Sequence, residues 1–377
     1  MNPVCPVFRR CGGCAMLDMD YAAQLEAKRR RLEALLGGLV KLEGIEPAEE
    51  PLRYRTKVHA VLGRSSSGLM AGTYAAGTHR IVDSRGCLIE DARCREALDA
   101  IVSVLRDFRV QPYDEDARRG LARHILIRRA AGTGEMLAVL VLARPELPGS
   151  GAMAKRIRER APGLTTLVTD VNSRRTSQVL AGSFRTLYGP GFIFDRLCGL
   201  EFRLSPGAFY QVNHAQTEKL YALAREFAGG GGRLIDAYCG VGTLGLTMAA
   251  DFGEALGIEY SRSAVADARF NARRNGIANA RFAAADATEY LVSIASRGEK
   301  ADVLVLDPPR TGSTPDFLKS AARLGPERIV YVSCCPETLA RDAKLLASLG
   351  YKPRRLRAVD MFPQTEHIES VLLLERK

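Results

Sequence analysis

No stretch of this 377-residue chain approaches the roughly 20 apolar residues of a membrane helix, the longest obvious run being Leu137–Ala143. A membrane-spanning helix is therefore not expected. The opening MNPVCPVFRRCGGC has no signal-peptide core, and low-complexity tracts are missing, so a cytosolic, folded protein is expected. An acidic excess is missing too: 54 Lys and Arg face 43 Asp and Glu, which leaves a net charge of +11. A polyanionic partner such as nucleic acid fits that balance. What the chain does have is nine cysteines. In the cytosol these stay reduced, so clustered ones point to metal binding or catalysis before disulfides. The length exceeds what one core usually supports, so two domains are expected.

Two places gather cysteine. In RIVYVSCCPETLARD (328–342) a short β-branched run ends at Ser333, Cys334 and Cys335, and Pro336 suits the first turn of a following helix. Ligands in open α/β sheets bind beyond the carboxyl ends of strands, and a helix N-terminus lowers a thiol's pKa. Either Cys334 or Cys335 is thus a candidate nucleophile, the plainer alternative being two small buried hydrophobes. The second place is Cys5, Cys11 and Cys14, where Gly12 and Gly13 let the backbone fold tightly. Three thiolates need a fourth ligand, for which Cys87 and Cys94 are the candidates. Zinc and an iron–sulfur cluster both accept four sulfurs, and three close cysteines with a distant fourth suit [4Fe–4S] better.

Residues 20–36 carry leucines at helical spacing, with Asp20 as N-cap and Gly37-Gly38 as the stop. The KRRR run at 28–31 is expected on their solvated face. From about 53 to 203 short β-like runs follow: YRTKVHAVLG, LMAGTYAAG, RHILIRRA, GEMLAVLVLA, TTLVTDVN and SQVLAG. They predict a mainly antiparallel sheet with a few helices. Basic residues interleave with them, and alternation in RHILIRR would put one set on a face suited to phosphate or simply to water.

Beyond 204 the pattern becomes βαβ. Strands are predicted at 233–238, 254–259, 280–284, 302–307 and 328–333, helices lie between them, and a closing hairpin falls near 354–360 and 367–375. The expected fold is α/β, a doubly wound methyltransferase-type sheet with a C-terminal hairpin. The domains expected are 1–203 and 204–377, with helix 20–36 able to pack on the latter. The turn after the first strand, Gly240-x-Gly242-x-x-Gly245, is a nucleotide-type glycine pattern and weak alone. Glu259 closes the second strand, where a carboxylate accepts ribose hydroxyls, and Asp286 follows the third. The rigid Asp307-Pro308-Pro309 turn after the fourth favours S-adenosylmethionine over a dinucleotide.

With these residues the chain resembles the RNA uracil-C5 methyltransferases, most closely those that carry an iron–sulfur cluster and modify 23S ribosomal RNA. The resemblance runs through C-x5-CGGC with Cys87, YRTK, LARHILIR, SPGAFYQVN, DAYCGVG, GIEYS, DPPR, SCCPETLARD and FPQTEHIES. It implies a Rossmann-like class I methyltransferase domain beside a smaller α+β domain holding the cluster. It also implies cofactor contacts at Gln211, Tyr238, Glu259, Asp286 and Asp307, beside Gly240 of the glycine turn. Cys334 falls on the nucleophile, Glu369 on the base, and Cys5, Cys11, Cys14 and Cys87 on the cluster ligands. A start directly at the cluster cysteines looks like the short form without a TRAM module, which points to uridine 747 and to a monomer acting on ribosomal RNA. One departure is Cys335, where the family usually has Asn.

The mechanism expected is attack of the Cys334 thiolate on uracil C6, methylation of C5, and removal of the C5 proton by Glu369, with Glu366 and His367 as local rivals. The uridine would be flipped out against Phe209 or Phe362. Competing readings are the same chemistry at another rRNA or tRNA uridine, a cytosine-C5 methyltransferase, and a noncatalytic iron–sulfur RNA-binding protein.

Overall fold

The computed structural model describes residues 5–66, 68–174 and 178–377. These form two compact units. One comprises the residues up to Asp18, Glu50–Arg196 and Arg203–Gly207; the other comprises Met19–Glu49, Leu197–Phe202 and Ala208–Lys377. This is not a single cut at 203/204, because the N-terminal helix and the strand after it belong with the C-terminal part. In chain order the elements begin with α1 (Tyr21–Leu36) and β1 (Leu42–Glu46), then β2 (Lys57–Ser65), β3 (Gly68–Tyr74), β4 (Ile81–Asp83), α2 (Ala92–Asp107), β5 (Ala122–Arg129), β6 (Met136–Leu142), α3 (Ser150–Arg160), β7 (Thr166–Val171) and β8 (Phe184–Tyr188). β9 (Ile193–Leu197) and β10 (Leu200–Leu204) pair with each other as a ribbon. Then come α4 (His214–Ala228), β11 (Gly231–Ala237), α5 (Thr243–Met248), β12 (Phe252–Glu259), α6 (Arg262–Arg274), β13 (Ala280–Ala284) and α7 (Ala287–Ser296). The chain ends with β14 (Val303–Leu306), α8 (Pro315–Leu324), β15 (Arg328–Ser333), α9 (Pro336–Ser348), β16 (Tyr351–Val359) and β17 (Glu369–Arg376).

The first unit is a seven-stranded sheet in the order β4-β3-β2-β5-β6-β7-β8. Its inner strand β6, MLAVLVL, is buried at every position, as a strand covered on both faces must be. The sheet is antiparallel except at β6 and β7, which run parallel because α3 crosses between them. Of SQVLAG, Ser177 lies outside the described residues and 178–182 form no strand; the pairing strand is β8 instead. The phosphate-facing set expected in RHILIRR is also corrected. Arg123 and Arg128 are buried, and Arg123 donates to Glu115 and to the carbonyls of Asn172 and Arg174. Arg129 pairs with Asp91 at 3.0 Å.

The second unit is an eight-stranded sheet in the order β1-β16-β17-β15-β14-β11-β12-β13. Strands β11 to β15 are parallel, and β17 runs antiparallel between β15 and β16. This is the expected doubly wound α/β sheet with its hairpin. The addition is β1, which lies parallel to β16 at the edge. Helices α1, α7, α8 and α9 share one apolar core with the sheet. In α1, Leu32 and Leu36 are fully buried there, each contributing about 1.5–3 kcal/mol. The KRRR run is not all solvated: Lys28 is 2 % exposed and forms a 2.5 Å ion pair with the buried Asp360.

Candidate active site

The parallel strands deliver their polar ends to one rim of the second unit. β11 runs into Tyr238 and Gly240, both with left-handed φ (67° and 57°). That conformation suits glycine, and for Tyr238 it is backbone strain at a strand end. A Cβ on Gly240 would meet nothing within 4 Å, so the turn faces open space. The Tyr238 ring packs on Phe317 with centroids 5.5 Å apart. Below the turn, Asp236 is buried and accepts the Gly245 N–H at 2.8 Å; burial, then the nearby acids, pushes its carboxyl up to about 7. At the end of β12, Glu259 accepts the N–H groups of Ser261 (2.7 Å) and Gly240 (3.2 Å), which fixes its carboxylate at the turn. Asp286 caps α7 through the Glu289 N–H. Gln211 is buried with no side-chain hydrogen bond among the described residues.

The nucleophile and base expected from the sequence come from two neighbouring antiparallel strands. The last ladder pair of β15 with β17 joins Ser333 to Ser370, and one step further the chain sets Cys334 beside Glu369. Cys334 is half-buried. Burial raises its thiol to about 11, and the carboxyl groups of Glu369 and Asp307 add to the effect, while Arg310 opposes it. This overturns the expectation of a thiol acidified by the helix end: the low local dielectric and two acids outweigh α9 and one guanidinium. Glu369 is 3 % exposed, and its Oε2 is buried with no partner. Burial and then Asp307 push its carboxyl well above the usual range, with Arg310 pulling the other way. A carboxyl so placed is a strong base once ionised.

The neighbours of this pair are already engaged. The Cys335 thiol contacts Glu337 at 3.4 Å, and Glu366 is exposed. His367 accepts from Arg310 at 3.2 Å and is held below its ordinary pKa by burial and that guanidinium. Phe362 is half-buried and Phe209 is 67 % exposed. Arg310 of the DPPR turn has a part that the sequence reading does not assign. The signal is its charge directly after the Pro-Pro turn, and it lowers both the Cys334 thiol and the Glu369 carboxyl.

In the first unit, Cys5, Cys11, Cys14 and Cys87 are all half-buried. Burial lifts the Cys14 thiol to about 12, and Cys87, Cys11 and Cys5 each raise it further, so the four share one neighbourhood. Cys94 is elsewhere: it is buried in α2, where its thiol donates to the Thr56 carbonyl. No three His, Cys, Asp or Glu side chains among the described residues are arranged to hold a metal ion. One zinc with sulfur at about 2.3 Å would need its sulfurs roughly 4 Å apart. The thiols are neighbours without that close convergence.

Comparison with known proteins then decides the family. An uncharacterized RNA methyltransferase from Halalkalibacterium halodurans is 39% identical over 380 residues, which cover 99% of this chain and 83% of that one. Residues 195–377 match the tRNA (uracil-5-)-methyltransferase family model. The chain belongs to this family. It is an S-adenosylmethionine-dependent RNA methyltransferase, and its activity is at uracil C5. A further family relative from Clostridium tetani, also an uncharacterized RNA methyltransferase, is 36% identical over 99% of this chain and 83% of its own. Among solved structures, the tRNA (uracil-54, C5)-methyltransferase of Pyrococcus abyssi, in complex with S-adenosyl-L-homocysteine, superposes with a TM-score of 0.82. It is 28% identical, over 98% of this chain and 86% of that one.

Proposed function

We propose that the enzyme methylates C5 of a uridine in 23S ribosomal RNA, with uridine 747 the first candidate, through a covalent bond between Cys334 and C6. The observation that carries this reading is the pairing of a half-buried thiol with a buried carboxylate that has no partner, on adjacent strand ends. The Cys334 sulfur, having given its proton to solvent, would bond as the thiolate to C6 while the C5–C6 π pair moves toward C5 and the C4 oxygen. S-adenosylmethionine, when bound, supplies the electrophilic methyl group that C5 takes. Glu369 then accepts the C5 proton, and the C5–H pair re-forms the double bond as the C–S pair returns to sulfur. Gln211, Tyr238, Gly240, Glu259, Asp286 and Asp307 would hold the cofactor. The open space before Gly240, the fixed Glu259 carboxylate and the unbonded Gln211 amide fit a ligand rich in hydroxyl and amine groups. Phe209, exposed two residues before Gln211 in the segment between β10 and α4, is the stacking surface for a flipped base.

For Cys5, Cys11, Cys14 and Cys87 the proposal is a [4Fe–4S] cluster. Soft thiols gathered in one neighbourhood are stabilised when a cationic core draws them as thiolates, and a four-iron core spans more widely than one ion. The only apolar packing beside these sulfurs is Val7, Ala75 and Val82 among the described residues, so the cluster would act as a staple. A visible-absorption spectrum of anaerobically purified protein tests it; a colourless protein with stoichiometric zinc refutes it. A tRNA target is the second reading, because the Pyrococcus abyssi enzyme acts on tRNA uracil 54. Mapping 5-methyluridine in ribosomal and transfer RNA from cells lacking the protein separates the two: loss from 23S RNA supports the proposal, and loss from tRNA alone refutes it.

A further inference from the structure

Between β16 and β17 the segment Asp360–Ile368 has no regular structure, and it leads directly into Glu369. One face of α1, formed by Tyr21, Gln24, Lys28 and Arg31, holds that segment at alternate residues. The Tyr21 hydroxyl donates to Asp360 Oδ2 at 2.8 Å and accepts the Ala48 N–H at 2.7 Å. Lys28 Nζ donates to Asp360 Oδ1 at 2.5 Å and to the Phe362 carbonyl at 3.2 Å. Gln24 exchanges hydrogen bonds with Gln364, its Nε2 donating to Oε1 (2.8 Å) and its Oε1 accepting the Gln364 N–H (3.0 Å). Gln364 sits at φ 70°, a left-handed conformation that a non-glycine residue holds only when its surroundings impose it. Arg31 donates to the Glu366 carbonyl at 3.0 Å.

Lys28 and Asp360 are both essentially sealed from water. Two buried charges persist only when paired and hydrogen-bonded, so this ion pair defines one position for the chain at 360 and 362. Glu369 itself makes no side-chain hydrogen bond among the described residues, and the charges of Arg310 and Asp307 act on it without bonding to it. Its aim is therefore set by its backbone, which lies between the β15 and β16 ladders and the segment that α1 holds.

We propose that Lys28, with Asp360, is a positioning residue for the reaction: α1 is a template that sets Glu369 where the C5 proton will stand. The proposal rests on the reading that Glu369 removes that proton. A displacement of about 1 Å in a catalytic group costs on the order of 10²-fold, so the loss would fall on proton removal and spare the earlier steps.

The test is the double variant Lys28→Met, Asp360→Asn, which removes the buried charges together, assayed beside Glu369→Gln with substrate RNA in single turnover. Two rates are read: appearance of the methylated covalent adduct, and its decay with release of tritium from 5-tritiated uridine. The proposal predicts adduct formation within about threefold of the wild type and decay slowed by about tenfold or more. Faster amide exchange confined to 361–369 should accompany it. Wild-type decay in the double variant beside slow decay in Glu369→Gln overturns the positioning role, as does an equal fall in both rates. Fast decay in Glu369→Gln instead overturns the base assignment. Should the double variant not fold, Gln24→Leu, which removes the Gln364 contacts and the hydrogen bond to the Met19 carbonyl, carries the same two predictions.

Discussion

Glu369→Gln exchanges the proposed base for an amide of nearly the same shape at a position 3 % exposed. Two effects on stability oppose each other. The carboxyl is raised well above its usual range by burial and by Asp307, so ionising it at neutral pH is costly, and an uncharged amide removes that cost. Against this, Oε2 is buried without a partner. An NH₂ placed there is an unsatisfied donor costing about 1–3 kcal/mol. The variant should therefore fold with stability close to that of the wild type. Its chemistry should change far more. Loss of a general base typically costs 10²–10⁴-fold, equivalent to about 3–5 kcal/mol on the barrier of that step. Rapid-quench experiments with 5-tritiated uridine RNA follow both halves of the reaction. Tritium release should slow by roughly 10²-fold or more, while a denaturant-stable RNA–protein complex accumulates. Tritium release within about threefold of the wild type, or no complex, refutes the assignment.

Asp236→Asn tests the electrostatics beneath the glycine turn. The carboxyl rises from 3.8 to about 7 on folding. Folding therefore favours its protonated form, and the stability this contributes is present at low pH and lost as pH rises from about 4 through about 7. At 1.36 kcal/mol per pH unit the burden at pH 8 reaches up to about 4 kcal/mol. Asn keeps an acceptor for the Gly245 N–H, so denaturant unfolding should show stabilisation at pH 8 and almost none at pH 4; equal effects at both refute the account. With its thiol held at about 11, Cys334 should be alkylated by iodoacetamide at a rate rising about tenfold per pH unit from neutrality. Peptide mass spectrometry of the enzyme alone checks this, and a plateau below pH 8 contradicts it. Arg310→Met removes a cation that lowers both Cys334 and Glu369, and should slow that alkylation at neutral pH.

The second unit was legible because its signals are local. Buried parallel strands alternate with helices whose starts are marked by Ser261, Asp286, Thr314-Pro315 and Pro336, and each strand end then places its polar residue without further information. What escaped depends on partners far along the chain. The LEGIE strand has almost no apolar alternation, and only its pairing with β16, more than 300 residues later, makes it part of the sheet. Lys28 is indistinguishable in sequence from the arginines beside it; Asp360 decides its burial. The arginines of RHILIRR read as surface because their acceptors, Glu115, Asp91 and the carbonyl at 172, lie outside the strand, 8, 38 and 49 residues away. The same holds for Cys334. A helix end argues for an acidic thiol, whereas Glu369 and Asp307, brought up by other strands, reverse the sign. Among the cysteines, Cys87 and Cys94 were equivalent as fourth ligand until folding put one beside Cys14 and the other in the core of α2.

The central claim is a bond between one sulfur and uracil C6, and RNA carrying 5-fluorouridine tests it directly, because fluorine at C5 leaves no proton for Glu369 to take. Wild-type enzyme with this RNA and S-adenosylmethionine should form a stable covalent complex whose attachment maps by peptide mass spectrometry to Cys334, and Cys335→Ala should form it as well. Attachment at Cys335, or no covalent complex with enzyme that still binds the RNA, would contradict the account.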